Sequence, residues 1–124
     1  MSQSLNSTER TGNAGEDMST KQYYIVQLDA SGNIEVGEGA TDLLVGVLQN
    51  KPASGEAALY RFAGTSKVIA GGTIGVGAMV TTDANGKAVA TTTDGDIVIG
   101  RALVSAVSGD IFEVQLGIQH LYIA

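Results

Sequence analysis

The sequence predicts an all-β fold: a small β-barrel, β-tulip-like or sandwich domain of two pseudo-repeated strand–turn units, with an extended N-terminal arm. Three observations carry this reading. Seventeen glycines stand against one proline in 124 residues. Glycine costs a helix interior about 1 kcal/mol relative to alanine, whereas tight turns between strands use its freedom at positive φ. Short apolar runs rich in Val, Ile and Thr alternate with Gly, Asn, Asp and Ser clusters, the pattern of strands and turns. The second half of the chain also repeats the first at a constant offset of 54 residues, as Ile25-Val26 against Met79-Val80 shows.

Residues 1–20 are polar and small, and offer too little apolar surface to offset the entropy of ordering. They are expected to form a flexible arm, with the β-domain running over 21–124. Beyond Lys21, QYYIVQLD reads as a strand, Ala30-Ser31-Gly32-Asn33 as a turn, NIEV as a short strand and GEGATD as a loop. LLVGVLQ is the next apolar strand, KPASGE a turn, and ALYRF alternates like a half-buried strand. Gly64-Thr65-Ser66-Lys67 is read as a turn into KVIA, and Gly71–Gly77 as a crossover with room for one helical turn. AMVTT follows as a strand. Asp83-Ala84-Asn85-Gly86 then reads as a hairpin turn of type I′, for which Asn-Gly is suited. KAVATT returns, DGDIVIGRALVSAV is one long strand, Ser108-Gly109-Asp110 turns, and IFEVQL closes the sheet before an apolar tail.

The repeat spans about 25–62 against 79–116 without a gap. Asp29-Ala30-x-Gly32 matches Asp83-Ala84-x-Gly86, and Ser54-Gly55-Glu56 matches Ser108-Gly109-Asp110. Leu44-Val45-Gly46 matches Val98-Ile99-Gly100, and Phe62 matches Leu116. Two units are too few for a solenoid, so each is expected to cover the apolar face of the other. A glycine inside a strand marks a bulge, a bend or a close backbone approach. Gly46 and Gly100 are therefore expected to bend both units at the same point.

Charge and composition narrow the function. The net charge is −6, and the seven basic residues (Arg10, Lys21, Lys51, Arg61, Lys67, Lys87, Arg101) are scattered, which argues against nucleic-acid binding. No stretch approaches the ~20 apolar residues of a membrane helix, so no membrane partner is expected. The N-terminus lacks the charged-then-apolar layout of a signal peptide, and synthesis in a cytoplasm is expected. With no cysteine and one histidine, thiolate metal sites and two-imidazole sites are out of reach, and no cofactor is expected.

Each candidate for chemistry has a simpler structural reading. His120 lies in an apolar tail, and no serine sits in a GxSxG elbow. Asp94 with Asp96, and Glu35 with Glu38, fall in predicted loops where water keeps both members ionised. Asp83–Lys87 has its glycine at position four, where an EF-hand calcium loop needs it at six. Gly71-Gly72-Thr73-Ile74-Gly75-Val76-Gly77 lacks the lysine of a phosphate-binding loop. No catalytic, cofactor-binding or metal-binding residue is assigned, and the chain is read as a non-enzyme.

The order of strand, Asp-Ala-x-Gly turn, apolar-Gly-apolar strand and Gly-acid turn, given twice over residues 22–117, resembles the capsid decoration, or cement, proteins of tailed phages. The resemblance implies a β-domain added to the outer surface of an expanded capsid. There, commonly as a homotrimer, it would staple neighbouring subunits of the phage major capsid protein. It also implies an arm that adds a strand to a capsid loop, which makes Ser4, Leu5, Asn6, Thr8 and Arg10 the candidate capsid-binding residues. Other virion modules, such as a head fibre base, a tail component or a surface adhesin domain, are the alternative. The absence of tryptophan weakens the sugar-binding version.

Overall fold

A computed structural model describes residues 8–121. Among these residues ten strands make two five-stranded antiparallel sheets. The first holds β1 (Glu9–Asn13), β2 (Ile25–Leu28), β3 (Ile34–Val36), β4 (Leu44–Leu48) and β5 (Ala57–Arg61) in the order β1-β5-β4-β2-β3. The second holds β6 (Ala63–Ile69), β7 (Met79–Thr82), β8 (Ala88–Ala90), β9 (Ile97–Ala102) and β10 (Ile111–His120) in the order β6-β10-β9-β7-β8. The two orders are the same, so each sheet is one copy of the repeat. No helix occurs among the described residues.

Local chemistry explains the frame. Asp29 turns the chain between β2 and β3, its Oδ1 accepting hydrogen bonds from the Ser31 and Asn33 amides at 2.8 and 2.9 Å. Asp83 does the same for Asn85 and Lys87 at 2.8 and 3.0 Å. The expected type I′ geometry is not what forms. It needs positive φ at both central residues, yet Tyr23 is the sole non-glycine with positive φ among the described residues. Both turns instead place only the following glycine there, Gly32 at φ 83 and Gly86 at φ 80. That is the three-residue hairpin loop with a left-handed glycine.

Gly46 and Gly100 sit where a side chain cannot fit. A Cβ on Gly46 would strike the Arg61 carbonyl, and one on Gly100 would strike the Gln115 carbonyl, its counterpart in the second unit. The bend is less uniform than expected. A register shift borders Gly46 on the β2 side, between Val26 and Gln27, whereas near Gly100 it falls in β10, between Leu116 and Gln119. Close backbone approach is the shared requirement.

The repeat reaches further than its sequence signal. β1 is the counterpart of β6, because each pairs along the fifth strand of its own unit. Ala14 bridges Ile34 as Ala70 bridges Ala88, both in parallel. Gly15 donates to the Ile34 carbonyl at 2.8 Å and Gly71 to the Ala88 carbonyl at 2.7 Å. Met18 donates to Pro52, and Ile74 to Ala106, each at 2.8 Å. In this stretch Ala14 pairs with Ala70, an offset of 56 instead of 54.

This and the strand bounds correct four expectations. The arm does not extend to residue 20: Glu9–Asn13 form a strand, and Ala14 and Met18 are buried. Backbone pairing to β5 supplies what its polar side chains lack, and two apolar residues anchor its end. The Gly71–Gly77 segment is part of the second unit, with no helical turn. The passage between the sheets is instead at Phe62, between β5 and β6, so the turn expected at Gly64–Lys67 is strand. The long strand expected from Asp94 stops at Ala102, while β10 runs on to His120.

Each unit has its own core. In the first, Ala14, Met18, Val26, Ile34, Leu48, Ala58 and Tyr60 cluster together. Their seven counterparts, Ala70, Ile74, Val80, Ala88, Ala102, Phe112 and Val114, all belong to the second cluster. Ile25, Leu44 and Val47 of the first unit join that second cluster and weld the units together. Burial of each contributes about 1.5–3 kcal/mol.

Candidate functional site

Chemistry-bearing side chains are tied into the frame. Gln27, buried, donates to Glu35 Oε1 at 2.9 Å and accepts from the Glu38 backbone amide at 3.1 Å. Asp96 accepts from the Thr91 hydroxyl at 2.5 Å. Arg61 forms an ion pair with Glu9 at 2.6 Å and donates to the Thr65 carbonyl at 2.8 Å. His120 ends β10, opposite Ile97. Among the described residues no three His, Cys, Asp or Glu side chains are placed to hold a metal ion. The Asp83 loop spends its carboxylate on two backbone amides.

The functional residues therefore have to be sought on surfaces. Of the candidates, Ser4, Leu5 and Asn6 lie outside the described residues. Thr8 is exposed, and its carbonyl accepts from the Phe62 amide at 2.9 Å. Arg10 is exposed on β1 and lines a shallow apolar groove with Leu44, Val45, Tyr60, Phe62 and Ile118. The structure thus places Thr8 and Arg10 on one edge of the first sheet, where Phe62 leads into the second.

A second surface is absent from the sequence reading. Val76, Leu103, Val104, Val107 and Ile111 are exposed at one end of the second unit. Their counterparts in the first unit are Gln22, Gln49, Asn50, Ala53 and Ala57. In that unit Gln22 donates to the Gln49 carbonyl at 2.9 Å and Asn50 to the Ala57 carbonyl at 3.0 Å, so the positions are neighbours. The frame tolerates polar or small residues there. An apolar set of five is therefore not required for folding, and exposed patches of this kind mark interaction sites. The repeat alignment carries this signal, which reading DGDIVIGRALVSAV as one strand conceals, since β9 ends at Ala102.

Among the described residues, then, the buried polar side chains are satisfied within the fold, and a few apolar side chains stand outside its cores. The comparisons with known proteins give that contact its setting. A family model described as phage cement protein matches residues 12–118. The chain belongs to the phage cement protein family. No curated protein matches it. Among solved structures, it is similar to the head fibre gp8.5 N base of bacteriophage phi29, with a TM-score of 0.67 at 21% identity, over 93% of this chain and 98% of that one. At that identity the likeness is one of fold. The match to the cement family begins inside β1, consistent with that strand being part of the repeating unit.

Proposed function

We propose that this cement protein binds the outer surface of the assembled capsid as a homotrimer, contacts the phage major capsid protein, and stabilises the contacts between its subunits without catalysing a reaction. The observation that carries the reading is the cement-family match over residues 12–118. The architecture supports it: satisfied buried side chains among the described residues, two rigid sheets and an exposed apolar patch suit a part that adds area and stiffness. Residues 1–7 with Thr8 and Arg10 form the arm side of the contact, in which strand addition would supply backbone hydrogen bonds. Many copies on a lattice multiply weak contacts by avidity.

The test is co-sedimentation of the purified chain with capsids that lack it, followed by heating. Saturable binding and a higher temperature of particle rupture are expected. Absence of binding to particles, or binding with no gain in particle stability, would refute the reading. The likeness to a head fibre base favours a second version, in which the same domain roots a fibre on the capsid. Cryo-EM of decorated particles separates the two, because a fibre gives density projecting beyond the domain.

A further inference from the structure

Three of the four described asparagines have side chains held in place. Asn13 Nδ2 donates to Asn33 Oδ1 at 3.2 Å. Asn50 accepts from the Leu59 amide at 3.1 Å and donates to the Ala57 carbonyl at 3.0 Å. Asn85 differs. It is exposed, its backbone amide donates to Asp83 Oδ1 at 2.8 Å, and no hydrogen bond holds its side chain. The following residues divide the same way. Ala14, Ile34 and Lys51 each carry a Cβ beside the next backbone amide, whereas Gly86 carries none.

The turn does not require asparagine. Asn85 is not left-handed, since Tyr23 is the sole non-glycine with positive φ among the described residues. The matching turn of the first unit holds the same Asp-anchored geometry with Ser31 in that place. What asparagine adds is an amide carbon within reach of the next backbone nitrogen. That nitrogen is weakly tied, donating to the Asp83 carbonyl at 3.4 Å.

We propose that Asn85 is a self-modification site, at which the Gly86 backbone nitrogen attacks Asn85 Cγ. The N–Cγ bond forms as the Cγ–Nδ2 bond breaks, and Nδ2 leaves as ammonia with the proton of the Gly86 nitrogen. Water, the one co-reactant, then opens the cyclic imide. Cleavage of the new N–Cγ bond leaves aspartate. Cleavage of the original backbone C–N bond leaves isoaspartate, with the chain running through the side chain.

The site lies at the junction of the two units. The Gly86 carbonyl accepts from the Ile25 amide at 2.8 Å, and the turn is seated so closely that a Cβ on Gly86 would strike Val36. Asn85 shares a cleft with Glu16, Asp17 and Glu38, and the one cation among its lining residues is Lys21. A carboxylate at position 85 adds a fourth negative charge there, and like charges at short range repel. Isoaspartate adds a methylene to the backbone just before Gly86 and draws its carbonyl away from Ile25. The contact between the units therefore loosens as the chain ages. Ser31 has no amide to lose, so the change is confined to the turn that joins them.

Incubation of the purified chain at mildly alkaline pH, followed by peptide mapping, tests the site. The fragment carrying residue 85 is expected to gain one mass unit and to split into aspartate and isoaspartate forms, while those carrying Asn13, Asn33 and Asn50 stay unchanged. A chain unfolded in denaturant is the reference. Conversion of Asn85 in that chain and not in the folded one would show that the turn shields it, and overturns the proposal. The Asn85→Ser variant copies the first-unit turn and is expected to fold as before and to gain no mass there. Hydrogen exchange at the Ile25 amide reads the consequence, and is expected to quicken after incubation of the parent chain but not of Asn85→Ser. An unchanged rate in converted chains, or an equal rise in Asn85→Ser, overturns the link to the junction. Every readout is taken on the free chain, so failure of the cement reading leaves this site untouched.

Discussion

In the first unit Gly12 lies against Ile34, and Ala58 stands two residues before Tyr60; in the second, Val68, Ala88, Phe112 and Val114 hold the corresponding places. A small residue in one unit meets a large one in the other at each of these positions. The hydrogen-bond frame around them is unchanged, down to the Asp-anchored turns and the parallel alanine bridges. The comparison teaches that two layers of information are separable here. Turn chemistry and close backbone approach hold the frame, and volume within the frame is traded between neighbours, as close-packed cores allow when the total is kept.

The strongest way to break the comparison is to remove the strand that sequence patterning missed. Deleting residues 1–20 takes away β1, Ala14 and Met18, and is expected to unfold the first unit, with loss of most of its circular dichroism signal. Deleting residues 1–7 is expected to leave the melting temperature unchanged and to weaken particle binding. A deletion of 1–20 that melts like the intact chain would mean that β1 is dispensable to the frame.

The frame glycines come next. Gly100→Val drives a side chain into the Gln115 carbonyl, which backbone cannot yield without breaking β9–β10 pairing. A loss of about 4 kcal/mol or more is expected, the range reserved for a disrupted core. Gly12→Val meets only the Ile34 side chain, 2.7 Å away, and overpacking of this kind costs about 1–3 kcal/mol. The double variant Gly12→Val/Ile34→Ala copies the Val68 and Ala88 pair of the second unit and is expected to recover at least half of that loss in chemical denaturation. No recovery would show that the units do not share one interchangeable frame.

How much of this was legible follows from the same two layers. The offset-54 repeat was readable because Asp29, Gly32, Gly46 and their counterparts perform jobs that few other residues perform. β1 and β6 were not, because edge pairing is made by backbone atoms and leaves side chains free. Glu-Arg-Thr-Gly-Asn shares nothing with Thr-Ser-Lys-Val-Ile, and only Ala14-Gly15 with Ala70-Gly71 marks the equivalence, two residues out of register with the rest. The apolar patch at Val76 and Leu103 is hidden for the opposite reason: its composition is that of a strand, and only alignment with the polar Gln22 and Gln49 of the first unit points to the exposed position that the structure shows.

The smallest expected effects sharpen the comparison most finely. Asp29→Ala and Asp83→Ala each remove the same two backbone hydrogen bonds, and alone each is expected to cost about 1 kcal/mol. The surroundings differ. The Gly86 carbonyl in the second turn accepts from the Ile25 amide and a Cβ there would strike Val36, whereas a Cβ on Gly32 in the first would meet nothing within 4 Å. Loosening the Asp83 turn therefore also loosens the contact between the units, and Asp83→Ala is expected to destabilise the single chain by about 1 kcal/mol more than Asp29→Ala. Chemical denaturation of the two variants side by side measures that gap, and equal losses would mean that the Asp83 turn gives the contact between the units no support.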